Sequence, residues 1–180
     1  MTLEKIADEI SMCTGCSLYR CRINTVPGEG RLRPDLMFIG EAPGATENQE
    51  GRPFIGKAGL ILTEMISSLG LEREQVFITN VIKCRPPNNR PPRPNEIEAC
   101  LPYLERQIKK LRPKIVVLMG NIAMLAMLGM RGMGSRHGKT YERDGIKFFV
   151  TCHPAASFRS GGWRKAMIED FKILGRMIQK

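Results

Sequence analysis

The chain predicts an α/β fold built on a parallel sheet, and two observations carry that reading. Four short apolar runs, Leu36 to Ile39, Val76 to Thr79, Ile115 to Leu118 and Phe148 to Thr151, hold β-branched or aromatic residues without polar alternation. That is the pattern of strands covered on both faces. Each run is followed by a loop and then by a helical pattern, and strands alternating with helices form parallel sheets through right-handed crossovers. A chain of 180 residues suits a single domain spanning 1–180, and it holds no apolar stretch long enough for a membrane span.

In chain order, the first helix is predicted from Thr2 to Ser11. Thr2 can cap it, and Leu3, Ile6, Ala7 and Ile10 form one apolar stripe. The strand at Leu36 to Ile39 runs into Gly40-Glu41-Ala42-Pro43-Gly44, a turn whose glycines let backbone approach a ligand closely. A helix over Lys57 to Leu69 leads to the strand at Val76 to Thr79, which ends on Asn80. Pro94 suits the first turn of a helix reaching Leu111, with Ile97, Leu101, Leu104 and Ile108 at helical spacing. The third strand passes Gly120 into a helix over Asn121 to Leu128. The fourth passes into His153-Pro154-Ala155-Ala156, ahead of a helix over Trp163 to Ile178. The proline-rich segment Arg85 to Pro94 reads as a stiff connector rather than a polyproline ligand.

In open parallel sheets, ligands bind beyond the carboxyl ends of the strands. The residues delivered there are Glu41, Asn80, Gly120-Asn121 and His153. The GEAPG turn matches neither the dinucleotide fingerprint nor a phosphate loop. Glu41, a carboxylate in a turn at a strand's end, is a candidate for catalysis or ligand positioning. A lone Asn80 would more readily be a loop cap. Pro154 pushes His153 towards extended backbone, so its ring is placed by a rigid element. Phe54 reads either as a hydrophobic anchor or as a platform for a base. His137, in a glycine-rich basic segment, reads as a surface residue or a phosphate neighbour.

Cys13-x-x-Cys16, Cys84 and Cys100 form a candidate metal or iron–sulfur site joining the N-terminal segment to the core, since four thiolates complete a tetrahedral shell for a soft ion. Arg20 and Arg85 are expected to balance its negative charge, and zinc would accept the same charges. Disulfides are disfavoured. Glu4, Lys5, Asp8 and Glu9 interrupt any export signal, so a reducing cytoplasm is expected. Cys21 could replace Cys16 or simply pack, whereas Cys152 closes an apolar run as a buried, inert thiol. The 28 Lys and Arg against 18 Asp and Glu leave a net charge of +10, which attracts polyanions such as nucleic acid.

Taken together, Cys-x-x-Cys, GEAPG, GRPFIGKAG, TNVIKCRPPNNR, Cys100 and HPAA, in that order, resemble the family 4 uracil-DNA glycosylases, the iron–sulfur branch of their superfamily. The resemblance implies a 4Fe–4S cluster on Cys13, Cys16, Cys84 and Cys100, and an N-terminal cluster-binding segment. It implies a single-domain three-layer α/β/α sandwich around a central four-stranded parallel sheet. The implied activity is base-excision repair of deaminated cytosine by a prokaryotic, cytoplasmic enzyme. In that reading Gly40, Glu41, Ala42, Phe54, Asn80 and His153 bind uracil, and Glu41 and His153 are catalytic. Asn80 reads the N3–H and O4 edge, Phe54 stacks, backbone N–H groups at Glu41 and Ala42 hold a carbonyl oxygen, and His153 donates to O2.

Expected DNA contacts are Arg136, Lys139, Arg159, Arg164 and Lys165, with Phe158 filling the stack vacated by the flipped base. Family 1 enzymes carry an Asp and a Tyr in a GQDPY-type turn where this chain has Ala42 and Gly44. Glu41 is therefore expected to polarise water or stabilise the sugar cation, and Glu47 to occupy the space of the missing Tyr. A monomer acting on single- or double-stranded uracil-containing DNA is expected, and a sliding-clamp partner is not readable from the chain. Two other readings compete: a glycosylase for hypoxanthine or xanthine, and a non-catalytic iron–sulfur nucleic-acid-binding module. Glu41, Asn80 and His153 at three strand ends argue against the second.

Overall fold

The computed structural model describes residues 2–179. Among them, six strands form one sheet: β1 (Glu29–Gly30), β2 (Leu36–Gly40), β3 (Phe77–Asn80), β4 (Ile115–Met119), β5 (Thr140–Arg143) and β6 (Ile146–Thr151), in the order β1-β3-β2-β4-β6-β5. The four inner strands are parallel and correspond to the four apolar runs. The expected central four-stranded parallel sheet is therefore present, extended at both edges into a six-stranded mixed sheet. β1 joins β3 and β5 joins β6, both antiparallel, at the two edges. Both additions are short and largely exposed, so they leave no continuous apolar run in the sequence.

Seven α-helices accompany the sheet among the described residues: α1 (Leu3–Met12), α2 (Ala45–Glu50), α3 (Lys57–Ser68), α4 (Pro94–Leu111), α5 (Asn121–Leu128), α6 (Met133–Arg136) and α7 (Gly161–Ile178). The polar α2 and the single turn of α6 have no apolar periodicity and were not expected from the sequence. The chain passes from β2 through α3 to β3 in one direction, and from β3 through α4 to β4 and through α5 to β6 in the other. Right-handed crossovers therefore put α3 on one face and α4 and α5 on the opposite face. α7 packs against α3, and α1 packs against α4. The result is three layers.

The central strands are buried along their whole length, as strands sandwiched between helical layers must be. Phe38 of β2 stacks on Phe171 of α7, with ring centroids 6.1 Å apart and planes 11° apart. On the other face, α1 begins with Thr2 Oγ1 accepting the Lys5 N–H, buries Ile6 and Ile10, and ties to α4 through a 2.6 Å Glu9–Arg106 ion pair. The segment between Arg85 and Pro94 is anchored rather than merely stiff. Arg90 grips the buried carboxylate of Glu96 with two hydrogen bonds of 2.9 and 2.6 Å, and Glu96 also accepts the Arg93 N–H at the start of α4. Among the described residues, no helix is long and apolar enough to cross a membrane.

Phe38 fixes the α7 layer to the middle of the sheet. Phe38→Ala is expected to cost roughly 3–5 kcal/mol of stability, the range for truncating a core phenylalanine, read as a lower denaturation midpoint at unchanged slope.

Candidate active site

The carboxyl ends of the parallel strands open into a cavity of about 800 Å³ whose walls include Glu41, Ala42, Phe54, Asn80, Gly120 and His153. Four separate stretches of chain thus meet in one crevice, as the strand-end argument requires. Gly40, the last residue of β2, lies close behind two of these residues, Asn80 and Phe54. In the parallel ladder it stands opposite Asn80, and a Cβ there would come within 2.6 Å of Asn80 Oδ1 and 2.7 Å of Phe54 Cε2. Only glycine lets the amide and the ring approach the end of β2 this closely.

Asn80 is 1% exposed, and its Oδ1 is a buried acceptor with no hydrogen-bond partner among the described residues. Such an atom costs stability unless a ligand supplies a donor. His153 sits in extended backbone before Pro154, as expected, and its Nδ1 accepts the Ala155 N–H at 3.2 Å. Burial, aided by the nearby Arg159 charge, depresses the imidazole pKa to about 4. The ring is therefore neutral at physiological pH. With Nδ1 acting as an acceptor, its proton resides on Nε2, leaving that nitrogen as a donor. The ring lies 5.7 Å from that of Phe54, and Gly120, at φ +96°, leaves room for its Cβ.

The Glu41 carboxylate makes no hydrogen bond among the described residues. Burial raises its pKa while Arg159 at the cavity's rim opposes the rise. It is a carboxylate partly withdrawn from water and without a fixed partner.

The neighbouring wall is held by Glu47. Its buried carboxylate accepts the N–H groups of Gly44 at 3.1 Å, Ile55 at 3.0 Å and Gly56 at 2.7 Å. Glu47 stands where a side chain on Gly44 would begin, since a Cβ there would come within 2.7 Å of its carboxylate, and it also braces the GEAPG turn to the loop carrying Phe54. Arg73 holds that loop from behind by donating to the carbonyls of Phe54 and Pro53. Phe54 adopts φ +50°, an uncommon conformation for a side chain of its size. Its carbonyl backs onto Gly59 of α3, where a Cβ would collide with it. Pro86, Asn89, Arg90 and Trp163 also line the cavity. Sequence reasoning missed the first three because the 85–94 segment was read only as a connector, and Trp163 because it was read only as the start of a helix.

The basic candidates are dispersed. Arg159 lines the cavity, and Phe158 stands beside it, 57% exposed. Arg164 pairs with Glu64 at 3.0 Å, Arg136 donates to the Arg131 carbonyl and the Tyr141 hydroxyl, and Lys139 and Lys165 are exposed. His137 is neither a free surface residue nor a cavity residue. Its Nδ1 lies 2.9 Å from the buried Asp170 carboxylate, whose other oxygen accepts from Thr151 Oγ1 at 2.7 Å.

Cys13, Cys16, Cys84 and Cys100 line a second, smaller cavity together with Arg22, Lys83 and Tyr103. Cys21 lies outside it, exposed, with its thiol turned to the Leu18 carbonyl. The arginine that serves the site is Arg22, which donates to Cys84 Sγ at 3.5 Å and to the carbonyls of Cys13 and Ser11. Arg20 instead lies over the Tyr19 ring and Arg85 bonds Asn89, so the expectation for both is corrected. Burial raises the thiol pKa of Cys16, Cys84 and Cys100, the last to about 11. Among the described residues, no three Cys, His, Asp or Glu side chains are grouped tightly enough to share one metal ion.

The sequence profile of the uracil DNA glycosylase superfamily matches residues 27–172. The chain is 48% identical to a type-4 uracil-DNA glycosylase of Sulfurisphaera tokodaii, over 95% of this chain and 82% of that protein. It is 47% identical to the type-4 enzyme of Saccharolobus solfataricus, over 94% and 83%, and 44% identical to that of Pyrobaculum aerophilum, over 96% and 93%.

The hydrogen bond into Nδ1 and the burial of His153 generate a spectroscopic prediction. Nitrogen NMR of the labelled protein should show a neutral imidazole protonated on Nε2 at pH 7, with a midpoint near 4. Because the folded pKa lies below the ordinary 6.5, the unfolded chain binds the extra proton first, and this residue makes stability rise with pH between the two values. A midpoint near 6.5 would show the ring to be solvated.

Proposed function

Since the chain belongs to the uracil-DNA glycosylase superfamily, as one of its type-4 members, we propose that its crevice takes a uracil nucleotide flipped out of DNA and hydrolyses the bond between base and sugar. The chain is a uracil-DNA glycosylase acting in DNA repair. The observation that carries the site assignment is the buried, unpartnered Oδ1 of Asn80 beside a neutral histidine. Uracil offers an N3–H to that oxygen and an O4 to the amide nitrogen, whereas cytosine presents an acceptor at N3 and an amino group at position 4. Burial makes the mismatch costly, since the orphaned acceptor has no water to turn to.

Phe54 stacks on the base, its ring held by Glu47, Arg73 and Gly59 against the crevice wall. As the glycosidic bond breaks, negative charge gathers on the uracil and positive charge on the sugar. The Nε2–H of His153 is the donor for O2, and its low pKa keeps it a hydrogen-bond donor rather than an acid that gives its proton away. Backbone N–H groups at Glu41 and Ala42 serve the remaining carbonyl oxygen. The Glu41 carboxylate, poorly solvated and without a fixed partner, is suited to orienting the attacking water or facing the developing sugar cation.

Cys13, Cys16, Cys84 and Cys100 are the residues we assign to a 4Fe–4S cluster. They line one cavity, and four thiols are the ligand set such a cluster takes. When bound, the cluster supplies a covalent tie between the N-terminal segment and α4, and no step of the hydrolysis runs through it. Phosphate contacts from Arg159, Lys139 and Lys165, with Arg136 and Arg164 after release from their internal partners, hold the DNA, and Phe158 enters the vacated stack. The enzyme works as a monomer on single- or double-stranded DNA in a prokaryotic cytoplasm, where that DNA resides.

Incubating the protein with uracil-containing and uracil-free oligonucleotides, then cleaving abasic sites, tests the reading directly. His153→Ala should slow single-turnover excision by roughly a hundredfold or more with DNA affinity nearly intact, the signature of a donor acting as charge develops. Equal loss of binding and rate would make the imidazole structural. For the cysteine cavity, anaerobically purified protein should be brown and carry about four irons per chain, and Cys84→Ala should lose both. A colourless, zinc-containing protein would refute the assignment.

A further inference from the structure

Lys83 is one of the largest fully buried side chains, at 1% exposure, and its surroundings are unusual for a lysine. Its Nζ donates to Thr79 Oγ1 at 2.6 Å, to the Asn80 carbonyl at 2.8 Å and to Gln107 Oε1 at 2.8 Å. The Thr79 hydroxyl proton already goes to the Pro27 carbonyl, at 2.9 Å, and the Gln107 amide nitrogen donates to that same carbonyl at 2.7 Å. Both groups therefore meet Lys83 only as acceptors. Three acceptors at one nitrogen use all three N–H groups of an ammonium. Lys83 is thus fixed in both position and orientation, and it fixes what it touches, the end of β3 and the middle of α4, and through Thr79 and Gln107 the Pro27 backbone that precedes β1.

The same residue reaches the cysteine cavity. Lys83 lines that cavity and immediately precedes Cys84. Its carbonyl accepts the Val26 N–H at 2.8 Å, which stiffens the segment further. We infer that Lys83 is a positioning residue of the base pocket, a buried strut whose ammonium sets the strand end bearing Asn80 while its main chain braces the cysteine cavity, so that the two sites are mechanically one. This rests on the reading of Asn80 as the base-contacting amide. It assigns the cysteine site a part in base recognition, exerted through Lys83 rather than through DNA binding alone.

The test is a double-mutant cycle with free uracil as the probe. Lys83→Met keeps the apolar stem and removes the donors. In the iron-loaded enzyme it should weaken inhibition by free uracil about tenfold, with the single-turnover rate at saturating DNA changed much less. Asn80→Ala should weaken uracil inhibition in its own right, and adding Lys83→Met to it should cost nothing further, because the strut acts through the amide. Linkage adds a readout independent of activity: saturating uracil should slow iron release to a chelator in the wild type and have no such effect in Lys83→Met.

If Lys83→Met fails to fold, Gln107→Leu, which cuts the strut at its α4 end, should show the same weakening and the same loss of linkage. Wild-type uracil inhibition in Lys83→Met or Gln107→Leu, effects additive with Asn80→Ala, or iron release insensitive to uracil in the wild type would overturn the inference. A silent Asn80→Ala would instead overturn the base-contact reading on which it rests.

Discussion

The register of the parallel ladder between β2 and β3 is the constraint on which the site depends. It sets Gly40 opposite Asn80, and in a strand a slip of one residue would turn every side chain to the other face. With this register, the smallest residue stands where an amide and an aromatic ring must crowd together. The strands on either side are pinned by apolar burial on both faces, so register is specified by the core while its consequence is felt at the strand ends. The chemistry is thus positioned by packing that never touches the ligand.

Loops complete what the sheet begins, and they are held by buried polar groups rather than by length or stiffness. Glu47 gathers three N–H groups from two loops. Glu96 and Arg90 lock the segment before α4, and Asp170 collects His137 and Thr151 between β6 and α7. A buried carboxylate is costly unless it is surrounded by donors, and for Glu47 and Asp170 the donors come from different parts of the chain. These two carboxylates therefore act as joints, each holding more than one segment in place.

Much of this was legible in the sequence. Leu36 to Ile39 and Ile115 to Leu118 announced buried strands because no polar residue interrupts them, and α4 and α5 were bounded correctly by Pro94 and by the apolar pattern. The strand-end rule brought Glu41, Asn80 and His153 together before any coordinates. What escaped was whatever lacks periodicity or depends on distant partners. β1 and β5 exist because a neighbouring strand offers hydrogen bonds, and α2 exists because Glu47 closes its first turn onto Gly44. Arg22 rather than Arg20 serves the cysteines because a one-turn 3-10 helix at Ser17–Arg20 redirects the chain, which no propensity reveals. Lys83 and Asp170 look like surface residues in a string of letters, and only the fold shows them buried.

The cavity shared by Cys13, Cys16, Cys84 and Cys100 also has a history in time. Its first two thiols leave the ribosome well before the last, and the wall bearing Cys100 forms only once α4 has folded onto α1. Until then the early pair stands open to oxidants and stray ions. Contacts so far apart in sequence are slow to close, so the newborn chain passes through an interval in which these thiols lack the cover the finished fold gives them. Oxidative stress would act on the yield of this protein during that interval, before any molecule has reached DNA.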